Sequence, residues 1–267
     1  MDINNEYGTL EIQKQLLELL KTFHSFCVEN NIKYSLDWGS LLGAIRHKGF
    51  IPWDDDLDIM VDRENYQKLQ KLIGSDNRLS FDITSPNTLW IPRIRLTHNN
   101  GGFIYPPTID VLIMDNAPNN TVVRHWRVLI IKILQGMLKV KPHFDKGCRL
   151  MRMVGTIVYW IGQLVGRVRK LRWYTKLAQL SNRYPTREIT SYYEEYSCLG
   201  RYYPNNLMKE MILVPFENME VYAVKNYHEC LVIQFGTDYM TPIKTCENHT
   251  EKAKKSSGRT AKGIIVI

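Results

Sequence analysis

The run Ile51-Pro52-Trp53-Asp54-Asp55-Asp56-Leu57-Asp58-Ile59-Met60-Val61 decides how this chain is read, because four carboxylates in five residues lead straight into an apolar strand. Successive side chains on a strand alternate between faces, so Asp56 and Asp58 share one face and Asp55 points away. Asp54 joins the pair if the strand starts that early. Crowded carboxylates repel and raise one another's pKa unless a cation lies between them. Hard oxygen ligands select Mg²⁺ or Mn²⁺. A second segment, Thr108-Ile109-Asp110-Val111-Leu112-Ile113-Met114-Asp115, sets Asp110 in an otherwise apolar strand. A carboxylate there is costly unless paired or metal-bound. If the two strands are neighbours, Asp56, Asp58 and Asp110 converge on one metal.

Upstream, Trp38-Gly39-Ser40-Leu41-Leu42-Gly43-Ala44 reads as a strand end, a Gly-Ser turn and a helix start. Glycine lets backbone approach a ligand, and a helix N-terminus offers free N–H groups to an anion. Gly39 and Ser40 are thus candidates to hold phosphate next to the metal. Arg46 and His47, at the end of the same short helix, are candidates to grip phosphate oxygens.

Working outward, Leu10 to Asn30 has helical periodicity, Lys33 to Trp38 reads as a strand and Leu41 to Arg46 as a short helix. Asp56 to Val61 is a strand and Arg63 to Ile73 a helix. Extended runs follow at Leu79 to Ile83, Leu89 to Thr97 and Phe103 to Met114. This order predicts an α+β fold with a mixed sheet. After Pro118 the pattern is mostly helical through about Arg201, so the C-terminal half is expected to be helical and basic. Glu217 to Met240 reads as a short strand and a helix ending near Gly236. The expected divisions are 1–120 for the sheet-bearing core with its N-terminal helix, 121–205 for a basic helical insertion, 206–245 for the return to the core and 246–267 for a mobile tail.

The chain has 267 residues, 44% hydrophobic and 23% charged, which excludes wholesale disorder. Its five cysteines, Cys27, Cys148, Cys198, Cys230 and Cys246, are scattered and never paired as C-x-x-C. That pattern fits a reducing compartment better than a disulfide scaffold. Met1 to Glu6 lacks the features of a signal peptide, so a cytoplasmic location is expected. The formal charge of +8 is uneven. Thr121 to Leu180 holds thirteen Lys/Arg against one acid, a local +12 that leaves −4 elsewhere. This block also carries apolar runs with Trp126, Tyr159, Trp160 and Trp173. Its stretch Met153 to Gly166 falls short of the roughly 20 residues needed to span a bilayer. The composition suits a peripheral element on an anionic membrane surface. No nucleic-acid reading module accompanies the charge.

The run from Trp38 through Asp58 resembles the signature of the LicD family of phosphotransferases, within the wider group that includes the fukutin and fukutin-related proteins. The resemblance continues through Asp62-Arg63-Glu64-Asn65-Tyr66, the Ile109-Asp110-Val111 strand, Phe216-Glu217 and Phe235-Gly236-Thr237-Asp238-Tyr239-Met240. It implies a nucleotidyltransferase-like fold in which Asp56 and Asp58 form the Asp-x-Asp pair and Asp110 is the third carboxylate. It further implies Mg²⁺-dependent transfer of a phospho-alcohol, phosphocholine being the type case, from a CDP-activated donor to a hydroxyl of a cell-surface glycan. That acceptor would be lipid-linked lipopolysaccharide or teichoic acid. In that scheme Gly39, Ser40, Arg46 and His47 bind the donor and Asp54 is the candidate base. Two alternatives use the same residues differently: transfer of the nucleotide itself, and a catalytically silent membrane-surface module. Departures from the family pattern fall at Val224, at Phe235 to Asp238 and at Ile243 to Cys246, the region tied to acceptor recognition.

Overall fold

The computed structural model describes residues 8–82, 90–98, 106–140 and 149–242. The expected tail 246–267, the ends of the extended runs at Ile83, Leu89 and Phe103, and Cys148 lie outside them. Among the described residues, seven α-helices and two sheets make an α+β fold. The order is α1 (Leu10–Glu29), β1 (Ser35–Leu36), α2 (Trp38–His47), β2 (Leu57–Asp62), α3 (Arg63–Ile73), β3 (Leu79–Asp82), β4 (Arg93–Leu96) and β5 (Ile109–Asn116). Then come α4 (Thr121–Leu138), α5 (Arg149–Gln163), α6 (Arg167–Ala178), β6 (Glu188–Ser191), β7 (Tyr203–Pro204), β8 (Met211–Phe216), β9 (Met219–Val224) and α7 (Tyr227–Phe235).

The main sheet runs β1-β2-β5-β4-β3, with β6 and β7 continuing from β5. Among the described residues only β2 and β5 pair in parallel, over the full length of β2, with Asp58 opposite Asp110. β5 then serves two partners on its other edge, β4 at Ile109 and Asp110 and β6 at Met114 to Asn116. A strand shared in this way is buried on both faces, which is why Ile109 and Val111 to Met114 are apolar and buried. Helix α1 contributes Leu16, Leu19, Leu20, Phe23, Phe26 and Cys27 to the same core, the face its periodicity predicts. At the other end of β5, the guanidinium of Arg63 forms a bidentate pair with buried Asp115.

Several element boundaries differ from the sequence reading. α2 begins at Trp38, not Leu41, because Asp37 caps it: its Oδ1 accepts the Trp38 N–H at 2.9 Å. Gly39 and Ser40 therefore lie in the first turn of the helix and not in a turn before it. β1 shrinks to two residues, and β2 starts at Leu57, one residue later than expected. The helical stretch ends near Arg183. Glu188 to Ser191 is instead a strand of the main sheet, and β7 and β8 are strands that the sequence reading did not separate.

The segment between α2 and β2 carries the acidic run, and it is pinned from three sides. From α1, Thr9 Oγ1 donates to the Pro52 carbonyl at 2.7 Å, and Gln13 Nε2 donates to the carbonyls of Ile51 and Asp54 at 3.1 and 2.8 Å. From α2, Gly43 lies so close that a Cβ on it would sit 2.5 Å from the Gly49 carbonyl. From the β8–β9 hairpin, Glu217 holds a left-handed backbone (φ 54°) and its carboxylate accepts the Phe50 N–H at 3.0 Å. A methyl at position 49 would fall 2.1 Å from Glu217 Oε1, so only glycine leaves room for this contact. Gly49→Ala should therefore cost about 1–3 kcal/mol by expelling the carboxylate from a part-buried amide. In denaturant titrations, Glu217→Ala should cost a similar amount and the double variant less than the sum of the two. Full additivity would show that the two residues do not share this contact.

Candidate active site

The parallel pairing of β2 with β5 brings together the residues that the sequence singles out. Asp58 and Asp110 are direct cross-strand neighbours. The row continues in register across the sheet, with Arg93 opposite Asp110 and Asp82 opposite Arg93. Four strands thus present Asp58, Asp110, Arg93 and Asp82 side by side. Arg93 grips Asp110 bidentately, Nε and Nη2 donating to Oδ1 and Oδ2 at 2.6 and 2.8 Å. Such a pair fixes the carboxylate plane and uses one lone pair on each oxygen, leaving the others for a further partner.

Asp58 is held by its own backbone. Its N–H donates to Ser40 Oγ at 2.9 Å, and its carbonyl accepts the Asp37 N–H at 3.0 Å. The buried Ser40 hydroxyl therefore locks the start of β2 onto the first turn of α2, a positioning task that the sequence did not disclose. Asp54 reaches the cluster by a different route from the one expected. β2 does not extend back to it; the pinned loop folds it over α2 instead, and a Cβ on Gly39 would lie 2.6 Å from Asp54 Oδ2. Glycine at 39 is thus required to seat that carboxyl. Asp55, expected to face away, is buried at 6% exposure.

The electrostatics follow from this crowding. Burial pushes the Asp58 carboxyl well above its ordinary value, and the charges of Asp56, Asp110, Asp37 and Asp54 push it further. Burial and then Asp56, by charge and by a hydrogen bond between the two carboxyls, do the same to Asp54. Burial raises Asp37 to about 7, against hydrogen bonds from Gln234 and the Trp38 N–H that favour its ionised form. Trp38 has a left-handed backbone (φ 45°), strained for a residue with a side chain and located next to the cluster. Its ring is covered by the Arg201 guanidinium, 4.6 Å away, and packs edge-on against Phe235.

Arg46 and His47 occupy the last turn of α2, about 10 Å along the axis from Gly39. Arg46 Nη1 donates to the Tyr239 carbonyl at 3.0 Å. The two separated parts of the sequence signature, Trp38 to Asp58 and Phe235 to Met240, therefore meet in space. Burial and the neighbouring Arg46 lower the His47 pKa, favouring its neutral imidazole.

Among the described residues no three ligating side chains already stand in metal-binding geometry. The donor set itself nevertheless fits a hard divalent cation. Asp56, Asp58 and Asp110 offer only carboxylate oxygens, and Asp58 is strained by exactly the repulsion that such an ion would relieve. Arg93, Asp37 and Asp82 escaped the sequence reading. The signal available for Arg93 was a cation in the short strand Arg93-Ile94-Arg95-Leu96, just ahead of a strand that sets Asp110 among apolar residues.

Three comparisons bear on this geometry. Residues 31–99 match the LicD/FKTN/FKRP nucleotidyltransferase domain family. The Haemophilus influenzae lipopolysaccharide cholinephosphotransferase LicD is 27% identical over 248 residues, covering 86% of this chain and 90% of that protein. An uncharacterised Rickettsia prowazekii protein is 42% identical over 131 residues, covering 47% of this chain and 48% of its own length.

A carboxyl whose native pKa exceeds its unfolded value near 4 stabilises the fold fully below that value. That stability is lost as pH rises through the native pKa. Asp37, Asp54 and Asp58 share this sign, so the denaturation midpoint in chelator should fall steadily from about pH 4 to 7 and beyond. Mg²⁺ or Mn²⁺ should restore it at pH 8 and have little effect at pH 4. A midpoint that ignores both pH and cation would rule out the loaded cluster.

Proposed function

We propose, for a chain that carries a LicD-family nucleotidyltransferase domain, that it transfers a phospho-alcohol of the phosphocholine type from a CDP-activated donor to a hydroxyl of a cell-surface glycan. The observation that carries this reading is the row Asp58–Asp110–Arg93 joined by Asp54 and Asp56, a dense acidic site beside a helix N-terminus. The extent of the Haemophilus relative supports the phosphocholine and glycan assignments, since its likeness covers most of both chains.

A divalent cation held by Asp56, Asp58 and Asp110 would neutralise the donor phosphates during an in-line displacement. The residues themselves then divide the work. Arg93 fixes the Asp110 carboxylate in one plane, and Ser40 fixes the backbone of Asp58. Gly39, in the first turn of α2, leaves the room in which the Asp54 carboxyl is seated. Asp54 accepts the proton of the acceptor hydroxyl. Burial and the neighbouring Asp56 raise its pKa, which makes its carboxylate a stronger base than a free one. Arg46 and neutral His47 hold the nucleotide that leaves.

Incubation with Mg²⁺ and a panel of CDP-alcohols should release CMP, whereas release of pyrophosphate from a nucleotide would mean nucleotidyl transfer instead. Asp58→Asn should reduce CMP release to background in a protein that still folds. Arg46→Ala should raise the KM for the donor roughly ten- to hundredfold, the worth of a hydrogen bond to a charged group. CMP release that persists undiminished in Asp58→Asn would overturn the assignment.

A further inference from the structure

The helices α4, α5 and α6 each leave apolar residues exposed, although α4 also buries Ile131, Leu134, Met137 and Leu138. Among the described residues, eighteen of the twenty-four exposed large apolar or aromatic side chains fall between 121 and 180. On α5, Leu150, Met153, Ile157 and Trp160 recur at intervals of three and four, and Leu164, just past the end of the helix, continues the stripe. All are exposed, Trp160 at 61% and Leu164 at 87%. On α4, Val122, Trp126, Leu129 and Ile133 form a second exposed stripe of the same spacing. A helix packed on a core hides such a stripe; these two display it.

The packing prevents α5 from rolling its stripe inward. Its inner side approaches α4 through glycine: a Cβ on Gly162 would lie 2.6 Å from the Met137 Cα and carbonyl oxygen. A Cβ on Gly136 of α4 would lie 3.0 Å from Val158 of α5. Lys170 of α6 closes the junction, its Nζ donating to the carbonyls of Met137 and Gly162 at 2.7 and 2.8 Å. The outward stripe is therefore built into the junction.

Charge identifies what covers it. Arg149, Arg152, Arg167, Arg169 and Arg172 are exposed beside the stripes, and among the described residues none of them makes an ion pair. From 149 to 187 the sequence contains no acid. A second copy docking through the same face would set these arginines against each other. An anionic leaflet satisfies both features at once, taking the apolar stripes below its headgroups and the arginines at its phosphates. The exposed Trp126, Trp160 and Trp173 suit the boundary between the two. No described helix is long and apolar enough to cross a bilayer, and α5 with its 15 residues fits one lying in the plane.

We infer that α4, α5 and α6 form a membrane-docking face, with the α5 stripe from Leu150 to Leu164 inserted in the plane of an anionic leaflet. This goes beyond the transferase reading and is tested without catalysis, so failure of either leaves the other standing. The full chain should sediment with vesicles of mixed phosphatidylglycerol and phosphatidylcholine at low salt, should be released as salt rises, and should bind pure phosphatidylcholine far more weakly. Replacing Arg167, Arg169 and Arg172 with Gln should lower the partition coefficient by roughly fivefold per arginine. Ile157→Ser with Trp160→Ser should abolish residual binding at high salt and leave the unfolding transition in place, since both side chains are exposed. Three results would each overturn the inference. They are no binding to any vesicle, binding that both variant sets leave unchanged, and a dimer in sedimentation equilibrium that Trp160→Ser dissolves.

Discussion

Like charges crowded at one end of a buried strand are the constraint around which this protein is arranged. The charges of Asp56, Asp110, Asp37 and Asp54 all act on Asp58, and burial adds to their effect. Left to a flexible loop, those carboxyls would separate. The backbone keeps them together: Thr9 and Gln13 from α1, the Glu217 carboxylate from the β8–β9 hairpin, and Ser40 and Asp37 from α2 hold the segment from Phe50 to Asp58 by hydrogen bonds to its main chain. None of those anchors is itself a cation. The repulsion is thus resisted by geometry and remains available to be relieved by an ion.

Arg93 is the exception, and its position in the row explains why one cation suffices there. It lies between Asp82 and Asp110 on adjacent strands and grips Asp110 directly, while its charge also acts on Asp82 and, last of the three, on Asp58. The sheet register therefore grades the charge: the Arg93–Asp110 ion pair lies toward the β3 side, and the carboxyls of Asp54, Asp56 and Asp58 gather at the β2 side. A polar ligand with negative phosphate oxygens would be repelled by this end of the row in the absence of a cation, and drawn to it in its presence.

Much of this was legible in the sequence, for a definite reason. Four aspartates before an apolar run, a second run with a lone aspartate and a Gly-Ser pair are local patterns, and local patterns dictate strands and helix starts. The parallel pairing that joins Asp58 to Asp110 could be posed only as a condition, because register between segments some fifty residues apart is a tertiary property. The contribution of Arg93 was invisible for the same reason, and that of Glu217 lies 167 residues from its partner Phe50. The Gly39-Ser40 reading went astray because Asp37, an N-cap two residues earlier, starts the helix sooner than the turn chemistry suggested. β6 was hidden by its company: Glu188-Ile189-Thr190-Ser191 is short, follows three helices and gains strand geometry by pairing with β5 and β7.

The helical block and the acidic site are also mechanically continuous. Gln135 on α4 donates to the Glu194 carbonyl at 2.9 Å and to the Tyr174 hydroxyl of α6 at 3.0 Å. The same Glu194 carbonyl accepts the Trp90 indole N–H at 3.0 Å, just ahead of the strand that carries Arg93. The buried carboxyl of Glu194 is raised chiefly by burial and then by the charge of Asp37, the residue that caps α2. One packed path of side chains thus joins the outward apolar stripes to the helix whose first turn seats Asp54. With the docking face lying on a leaflet, the height and tilt of the acidic row above that leaflet would be set by the fold, and an acceptor anchored in the same membrane would have to present its hydroxyl at that height.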